Sequence, residues 1–192
     1  MKKILIGTHN EGKFKEISFL LPKNLKKISP QSLKIKSPKE TGKTFQANAR
    51  LKAKYFKRYT NLPVISDDSG LCINALRGSP GIYSARWAKK YGNFYKTMLL
   101  ILKRMKNVKN RSATFICCLT MILNKKKIVT VTGKIKGKIS KKILGKNGFG
   151  YDPIFIPISK NKTFGQMSKS KKILMDHRFL AFKKIKKKVK IF

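Results

Sequence analysis

Acidic residues are scarce in this chain, which has 7 Asp and Glu against 47 Lys and Arg and a formal net charge of +40. Two of the seven acids, Asp67 and Asp68, are nevertheless adjacent in ISDDSG (65–70), and no further acid occurs before Asp152. Adjacent carboxylates repel each other. The pair is therefore either a chance survivor, such as an acid paired with surface lysines, or part of a site that needs negative charge.

Cysteine and histidine are also rare. The three cysteines form no CxxC pair, and an odd number favours a reducing compartment such as the cytoplasm over a disulfide framework. Two histidines without HxE or HExxH spacing exclude a His-rich metal centre, and the absence of GxSxG argues against acyl transfer through Ser-His-Asp. No apolar run reaches the ~18 residues of a membrane span. We therefore expect a soluble cytoplasmic protein without a membrane segment.

The excess of positive charge raises the alternative of a nucleic-acid-binding protein. However, the 40 lysines are spread along the chain and outnumber the 7 arginines, a pattern that compositional drift toward lysine also produces. The run KKIKKKVK (183–190) is the best candidate for a non-specific polyanion patch. It equally fits the solvated face of a final helix.

Alternating strand and helix patterns predict an α/β fold with a mixed sheet in a single domain, 1–192. A buried strand (2–8) leads through HNEGK into a helix with Glu16 on its exposed side, and a second helix (44–59) has Thr41 or Thr44 available as its cap. The strand LPVIS is predicted to end at Ser66, directly before the acidic pair. Further predicted elements are a helix (93–105), a hairpin (111–139) around Asn124–Lys125, a glycine-rich loop (145–155) and a basic helix from about Ser168.

Carboxylates at the end of a strand suit Mg²⁺, which prefers hard oxygen ligands and completes its shell with water and substrate phosphates. One of them could also deprotonate a water molecule for attack at phosphorus. The structural alternative is that Asp67 caps a turn and Asp68 pairs with a lysine.

Other segments fit an anion that carries an aromatic base. A strand-to-helix loop ending at Lys13 favours phosphate binding, because helix N-terminal N–H groups attract anions. In GFGYD, Phe149 or Tyr151 offers a face for base stacking, although the same pattern occurs in plain strand entries. The pair His177–Arg178 could read a purine edge or lie on a helix surface.

Taken together, the chain resembles the inosine/xanthosine triphosphate pyrophosphatase family, house-cleaning enzymes that hydrolyse non-standard purine nucleoside triphosphates. The resemblance is carried by six segments in the family's order: THNEGK (8–13), ETG-x-TF-x-x-NA (40–49), SDDSGL (66–71), GSPGIYSAR (78–86), GFGYDPIF (148–155) and K-x-x-x-x-HR (172–178).

The resemblance implies an elongated two-lobed α/β domain, with helices flanking a mixed central sheet and an active-site cleft between the lobes. It implies Mg²⁺-dependent attack of water at the α-phosphorus of ITP, dITP or XTP, and a homodimer. Asp68 would be the proton acceptor and a metal ligand, Glu40 a second metal ligand, and Asp67 a supporting or turn-capping carboxylate. The implied substrate-binding residues are Thr8, His9, Asn10, Glu11, Gly12, Lys13 and Ser69 for the phosphate side, and Phe149, Gly150, Tyr151, Asp152, Lys172, His177 and Arg178 for the base.

Two departures bear on these expectations. The family commonly has serine where this chain has Asp176, and a carboxylate there could accept a hydrogen bond from an amino group, which puts the preference for 6-oxo purines in question. Lys39 stands where the family often has an acid, and the affinity for Mg²⁺ would be reduced if metal binding needs both that acid and Glu40. A related pyrophosphatase for another nucleotide, such as a pyrimidine, is the remaining alternative.

Overall fold

A computed structural model describes residues 2–124 and 127–189. The strands are β1 (Lys3–Ile6), β2 (Lys26–Ile28), β3 (Val64–Ile73), β4 (Ser112–Ile122), β5 (Ile128–Ile139) and β6 (Phe155–Pro157). The helices are α1 (Glu11–Leu20), α2 (Phe45–Lys57), α3 (Ser84–Lys90), α4 (Phe94–Arg104), α5 (Lys169–Ile173) and α6 (His177–Lys188). None of the helices in these two ranges is long and apolar enough to cross a membrane.

The six strands form one sheet in the order β2-β1-β3-β4-β5-β6. Strand β1 pairs in parallel with both β2 and β3, whereas β5 pairs with β6 in antiparallel fashion. The predicted α/β fold with a mixed sheet is therefore confirmed. The hairpin turn predicted at Asn124–Lys125 includes Lys125, which lies outside the described residues.

The structure corrects two predicted boundaries. Strand β3 does not end at Ser66 but continues to Ile73, so Asp67 and Asp68 lie inside a strand instead of following one. Their side chains are compatible with a buried strand because lysine and arginine side chains lie beside them. The basic helix predicted from Ser168 is divided into α5 and α6, since the amides of Met175 and Asp176 both donate to the Lys172 carbonyl and close the first helix.

The chain divides into two compact units, the first comprising 1–68, 117–133 and 178–192 and the second 69–116 and 134–177. In the first unit, the side chains of successive β1 residues pack on opposite faces of the sheet. Ile4 and Ile6 belong to a cluster with Ile17 of α1 and Phe182 of α6. Leu5 instead joins Phe56 of α2. Each fully buried side chain of this kind contributes roughly 1.5–3 kcal/mol.

The second unit has an aromatic core. The ring centroid of Phe115 lies 4.6 Å from that of Phe155 and 6.2 Å from that of Phe164. Arg111 joins three segments of this unit, because its guanidinium donates to the carbonyls of Met105, Ile139 and Ser140. These contacts hold β4, β5 and the end of α4 together.

Candidate active site

The loop between β1 and α1 presents a helix N-terminus in the first unit. The Asn10 side chain caps α1 by accepting a hydrogen bond from the Lys13 amide at 2.9 Å. Gly7 is required where β1 ends, since a Cβ there would lie 2.2 Å from the Ser66 hydroxyl oxygen. The unbonded amides and positive dipole end of a helix favour a bound anion, and the loop of residues 8–13 carries this helix end.

His9 has a packing contact within this loop. Its Nε2 lies 3.0 Å from the Ile35 carbonyl oxygen, and its ring centroid lies 5.9 Å from that of Phe56. These contacts hold the loop against the core of the first unit. Thr8 also supports the loop, because its hydroxyl accepts a hydrogen bond from the Asn10 amide.

Asp67 lies at the centre of a buried ion network in the first unit. Its Oδ2 atom is 3.2 Å from the Lys13 Nζ and 3.2 Å from the Arg178 Nη2. Arg178 also pairs with Glu16 through its other terminal nitrogen. Glu16 is therefore buried, and its predicted position on the exposed side of α1 is wrong, because a partner from a remote segment covers it.

The network determines the charge of Asp67. Burial alone would raise the pKa of Asp67, but Lys13, Arg178 and Lys52 together hold it far below its usual range. Asp67 is consequently a carboxylate at every pH of interest. A permanently charged, fully buried group of this kind is poorly suited to exchanging protons with a substrate water.

Asp68 has different partners, all in the same unit. Its carboxylate accepts a hydrogen bond from the Asn48 side-chain amide at 3.2 Å, and its other oxygen lies 3.5 Å from the Lys52 Nζ. The same ammonium donates to Glu40 at 2.5 Å. Asp68 and Glu40, the two predicted metal ligands, are thus brought to one cation.

The pKa of Asp68 moves in the opposite direction to that of Asp67. Burial raises the pKa of Asp68, and the lowering effect of Lys52 and Lys13 does not fully offset it. Lys52 is also buried, which by itself lowers its pKa, yet Asp68, Asp67 and Glu40 leave the pKa of Lys52 above its ordinary value. The result is a protonated lysine beside a carboxylate that can accept a proton more readily than an ordinary aspartate.

Sequence reasoning missed Lys52, because one lysine among 40 is not conspicuous. The signal was its spacing. Asn48 and Lys52 are four residues apart on α2 and therefore share a face of the helix. Both side chains on that face reach Asp68, so α2 acts as a platform for this carboxylate.

The oxygens of Asp68 and Glu40 fit a hard divalent cation, which is held in nucleotide enzymes by one or two carboxylates together with substrate phosphates. Both carboxylates contact the Lys52 ammonium, so the space between them favours a positive charge. Within residues 2–124 and 127–189, no group of three or more His, Cys, Asp or Glu side chains is placed to hold a metal by itself. Substrate oxygens and water would have to complete the coordination.

A second group of predicted residues lies in the second unit. The Lys172 Nζ donates to Asp152 at 2.6 Å and lies 4.0 Å from Asp176. The Asp152 carboxylate also accepts a hydrogen bond from the Phe149 amide at 2.8 Å. This bond requires glycine at position 148, where φ is +76° and a Cβ would lie 2.1 Å from the carboxylate.

The two aromatic candidates of this loop differ in exposure. Tyr151 is buried, its hydroxyl donates to the Ser84 carbonyl, and burial raises the pKa of that hydroxyl. Phe149 is only half-buried, with the Lys172 ammonium 4.8 Å from its ring centroid. Of the two rings, Phe149 is therefore the more exposed.

His177 and Arg178 are neighbours in the chain with different partners. The His177 ring stacks on Phe115 in the second unit, with centroids 4.8 Å apart and an interplanar angle of 10°. Arg178 belongs to the Asp67 network of the first unit. Ser69 follows Asp68 in β3 and is half-buried.

The basic run 183–190 lies mostly on α6. Ile185 and Val189 are buried, whereas Lys183, Lys184 and Lys186 to Lys188 are exposed. This pattern is that of an amphipathic helix with a solvated lysine face. Lys190, the last residue of the predicted run, lies outside the described residues.

Comparison with known proteins tests the family resemblance over most of the chain. Among relatives named dITP/XTP pyrophosphatase, that of Dictyoglomus thermophilum is 42% identical over 189 residues, covering 95% of this chain and 92% of the relative. The relative of that name from Oceanobacillus iheyensis is 42% identical over 192 residues, covering 97% and 98%.

Solved structures agree with the fold. A HAM1 protein from Coxiella burnetii superposes with a TM-score of 0.87 at 32% identity, covering 97% of this chain and 98% of that one. The Ham1 protein of Staphylococcus aureus has a TM-score of 0.85 at 35% identity, with 97% of each chain covered. The model of the Ham1 family matches residues 4–188. The resemblance drawn from six short segments is thereby confirmed, and the chain belongs to the Ham1 family.

Proposed function

We propose that this chain is a Mg²⁺-dependent nucleoside triphosphate pyrophosphatase that hydrolyses ITP, dITP and XTP to the monophosphate and pyrophosphate. The observation that carries the proposal is membership of the Ham1 family over residues 4–188, with relatives named dITP/XTP pyrophosphatase that match over nearly their full length. The chemistry of Asp68 and its neighbours supports it. Removing such nucleotides would keep hypoxanthine and xanthine out of DNA and RNA.

The triphosphate is proposed to bind at residues 8–13. The N-terminus of α1 supplies backbone amides and a positive dipole end, and Lys13 adds a full charge. Lys13 is held by Asp67 at 3.2 Å, which fixes the position of its ammonium. Ser69, which follows Asp68 directly in the chain, is also proposed to contact the substrate.

Asp68 is proposed to accept the proton of the attacking water. Its pKa is raised by burial, which brings it closer to the pH at which the enzyme works and makes it a better base than an ordinary aspartate. As the proton moves to Asp68, the water oxygen bonds to the α-phosphorus and the bond from that phosphorus to the bridging oxygen breaks. Pyrophosphate leaves, and the water oxygen remains on the monophosphate.

Asp68 and Glu40 are proposed to hold Mg²⁺, because both offer hard oxygens around one cationic position. A bound Mg²⁺ would neutralise phosphate charge and lower the pKa of a coordinated water. Lys52 already places a positive charge at this position and would stabilise the charge that develops on the phosphates.

The base is proposed to stack on Phe149, the more exposed ring of its loop. Asp152 and Lys172 form a buried pair that fixes the Lys172 ammonium beside this ring, as a donor for an oxo group. Gly150 and Tyr151 shape the loop, and His177 and Arg178 complete the recognition of the purine edge.

The reaction is tested by incubating the purified protein with ITP and Mg²⁺ in ¹⁸O-labelled water. We expect pyrophosphate as the product and the label in inosine monophosphate, with no reaction when the metal is chelated. Release of orthophosphate, or label in the pyrophosphate, would contradict attack at the α-phosphorus. Including dUTP and dTTP in parallel separates this function from that of a pyrimidine-directed relative.

The oligomeric state and the cellular location of the protein also remain predictions. The homodimer implied by the family can be checked by light scattering of the purified protein. A cytoplasmic location, expected from the odd number of cysteines, can be checked by cell fractionation.

A further inference from the structure

One oxygen atom serves two cations from distant parts of the chain. The Lys13 Nζ and the Arg178 Nη2 both lie 3.2 Å from the same Oδ2 of Asp67. Lys13 comes from α1 and Arg178 from α6, so 165 residues of sequence separate the two partners. Because they share an acceptor atom, a shift of one cation changes the position and strength of the other contact.

Burial makes this sharing consequential. Asp67 is 0% exposed and Arg178 is 1% exposed, so water cannot replace a lost partner for either group. Removing one member of a buried charge network leaves the others uncompensated, and they rearrange toward the remaining partners. Glu16, the other partner of Arg178, is likewise buried and limits where the guanidinium can go.

We propose that Asp67 is a positioning residue that couples Lys13 to Arg178, so that contacts to the triphosphate and discrimination of the base depend on the same carboxylate. The inference rests on the proposed function, which assigns Lys13 to the phosphates and Arg178 to the purine. It goes beyond that function by linking the two sets of contacts energetically. Binding of the triphosphate at Lys13 therefore changes the strength of the ion pair between Asp67 and Arg178.

The test measures whether a change at the phosphate lysine alters base preference. We expect Lys13→Met to raise KM for ITP and also to change the ratio of kcat/KM for ITP over ATP by at least ~5-fold, the lower end of typical coupling between sites. In the Asp67→Asn background, the same Lys13→Met change should leave that ratio unaltered. The ratio compares two substrates on one sample, so a partly unfolded preparation does not affect it.

Lys15→Met is the matched control, because it removes the same charge two residues along α1 from an exposed side chain. It should leave the ITP-to-ATP ratio unchanged. If Lys13→Met lowers activity on both nucleotides by the same factor, the coupling through Asp67 is refuted, even though Lys13 would remain a phosphate ligand. The Lys13→Met variant alone can give this refuting result, and the side chain that it replaces is partly exposed.

Failure of the proposed function would be seen separately, as a lack of pyrophosphate release from ITP by the unsubstituted chain. In that case the coupling is tested by comparing the Tm values of the variants. The Tm losses from Lys13→Met and Arg178→Met should be non-additive in the native chain, because both remove a partner of Asp67, and additive in the Asp67→Asn background. Additive losses in both backgrounds would overturn the inference.

Discussion

Replacing Lys52 with methionine should destabilise the protein strongly. Methionine retains the length and apolar character of the lysine stem but removes the ammonium that contacts both Glu40 and Asp68. Asp68 would then stand at 4% exposure beside the charged Asp67 without its nearest cation. Asn48 would still donate to Asp68, but a neutral amide compensates a buried charge only in part.

The magnitude follows from the burial of the partners. Removal of one member of a buried ion pair typically costs about 3–5 kcal/mol. The Glu40 side chain is 31% exposed and can be rehydrated, so we take the lower end, about 3 kcal/mol. For a chain of this size, such a loss corresponds to a fall in Tm of about 6–12 °C.

The measurement is a calorimetric or circular dichroism melt of the native chain, Lys52→Met and Lys54→Met. Lys54 lies on the same helix but is exposed, so its replacement should change Tm little. Because Lys52→Met leaves two carboxylates without their common cation, added Mg²⁺ should also raise its Tm more than that of the native chain. A fall in Tm no larger than that of Lys54→Met would refute the assignment of Lys52 as the compensating charge.

Three further outcomes follow from the separate environments of the acids. Asp68→Asn should lower kcat at least ~10²-fold, the scale of lost acid–base assistance, and an unchanged kcat with an unaltered melt would remove Asp68 from the mechanism. Burial raises the pKa of Asp68, and the base must be ionised to accept a proton. The value of log kcat/KM should therefore fall as pH decreases, with an apparent pKa above the ~3.9 of a free aspartate. An apparent pKa at or below that value would contradict the role of Asp68 as the base. Asp176→Ser removes a buried carboxylate 4.0 Å from the Lys172 ammonium and should increase the ITP-to-ATP ratio of kcat/KM by ~10-fold, the value of one charged hydrogen bond. A ratio equal to that of the native chain would show that Asp176 does not tune base preference.

Local sequence signals predicted much of the fold. Thr44 was one of two candidate caps for the second helix, and it does cap α2 through the Ala47 amide. The strand and helix patterns were sufficient for the α/β class and mixed sheet, because alternation and helical spacing depend on neighbours in the chain. Family motifs identified the two acids that Lys52 joins.

The remainder depended on contacts between distant segments. Asp-Asp-Ser-Gly has the composition of a turn, yet it continues β3 because Lys13, Lys52 and Arg178 compensate the two carboxylates. Helical position alone made Glu16 look exposed, and only the arrival of Arg178 from α6 covers it. Choosing Lys52 from 40 lysines likewise required knowing which one faces an acid.

The distinction between the two adjacent aspartates now has a physical basis. Asp67 is held ionised by Lys13, Arg178 and Lys52. Burial raises the pKa of Asp68, and its partner Lys52 also contacts a second carboxylate, that of Glu40. The sequence places them next to each other, and their side chains point to different partners because consecutive residues of a strand face opposite sides of the sheet.

The most direct measurement is kcat/KM for pyrophosphate release from ITP and from ATP, on the same preparation of native protein with Mg²⁺. A site that recognises the 6-oxo group should favour ITP by at least ~10-fold, since an unmatched buried donor is costly. XTP should behave like ITP, and GTP, which carries an additional amino group, should be a poor substrate. Equal rates on ITP and ATP, or no release from either, would contradict the proposed function.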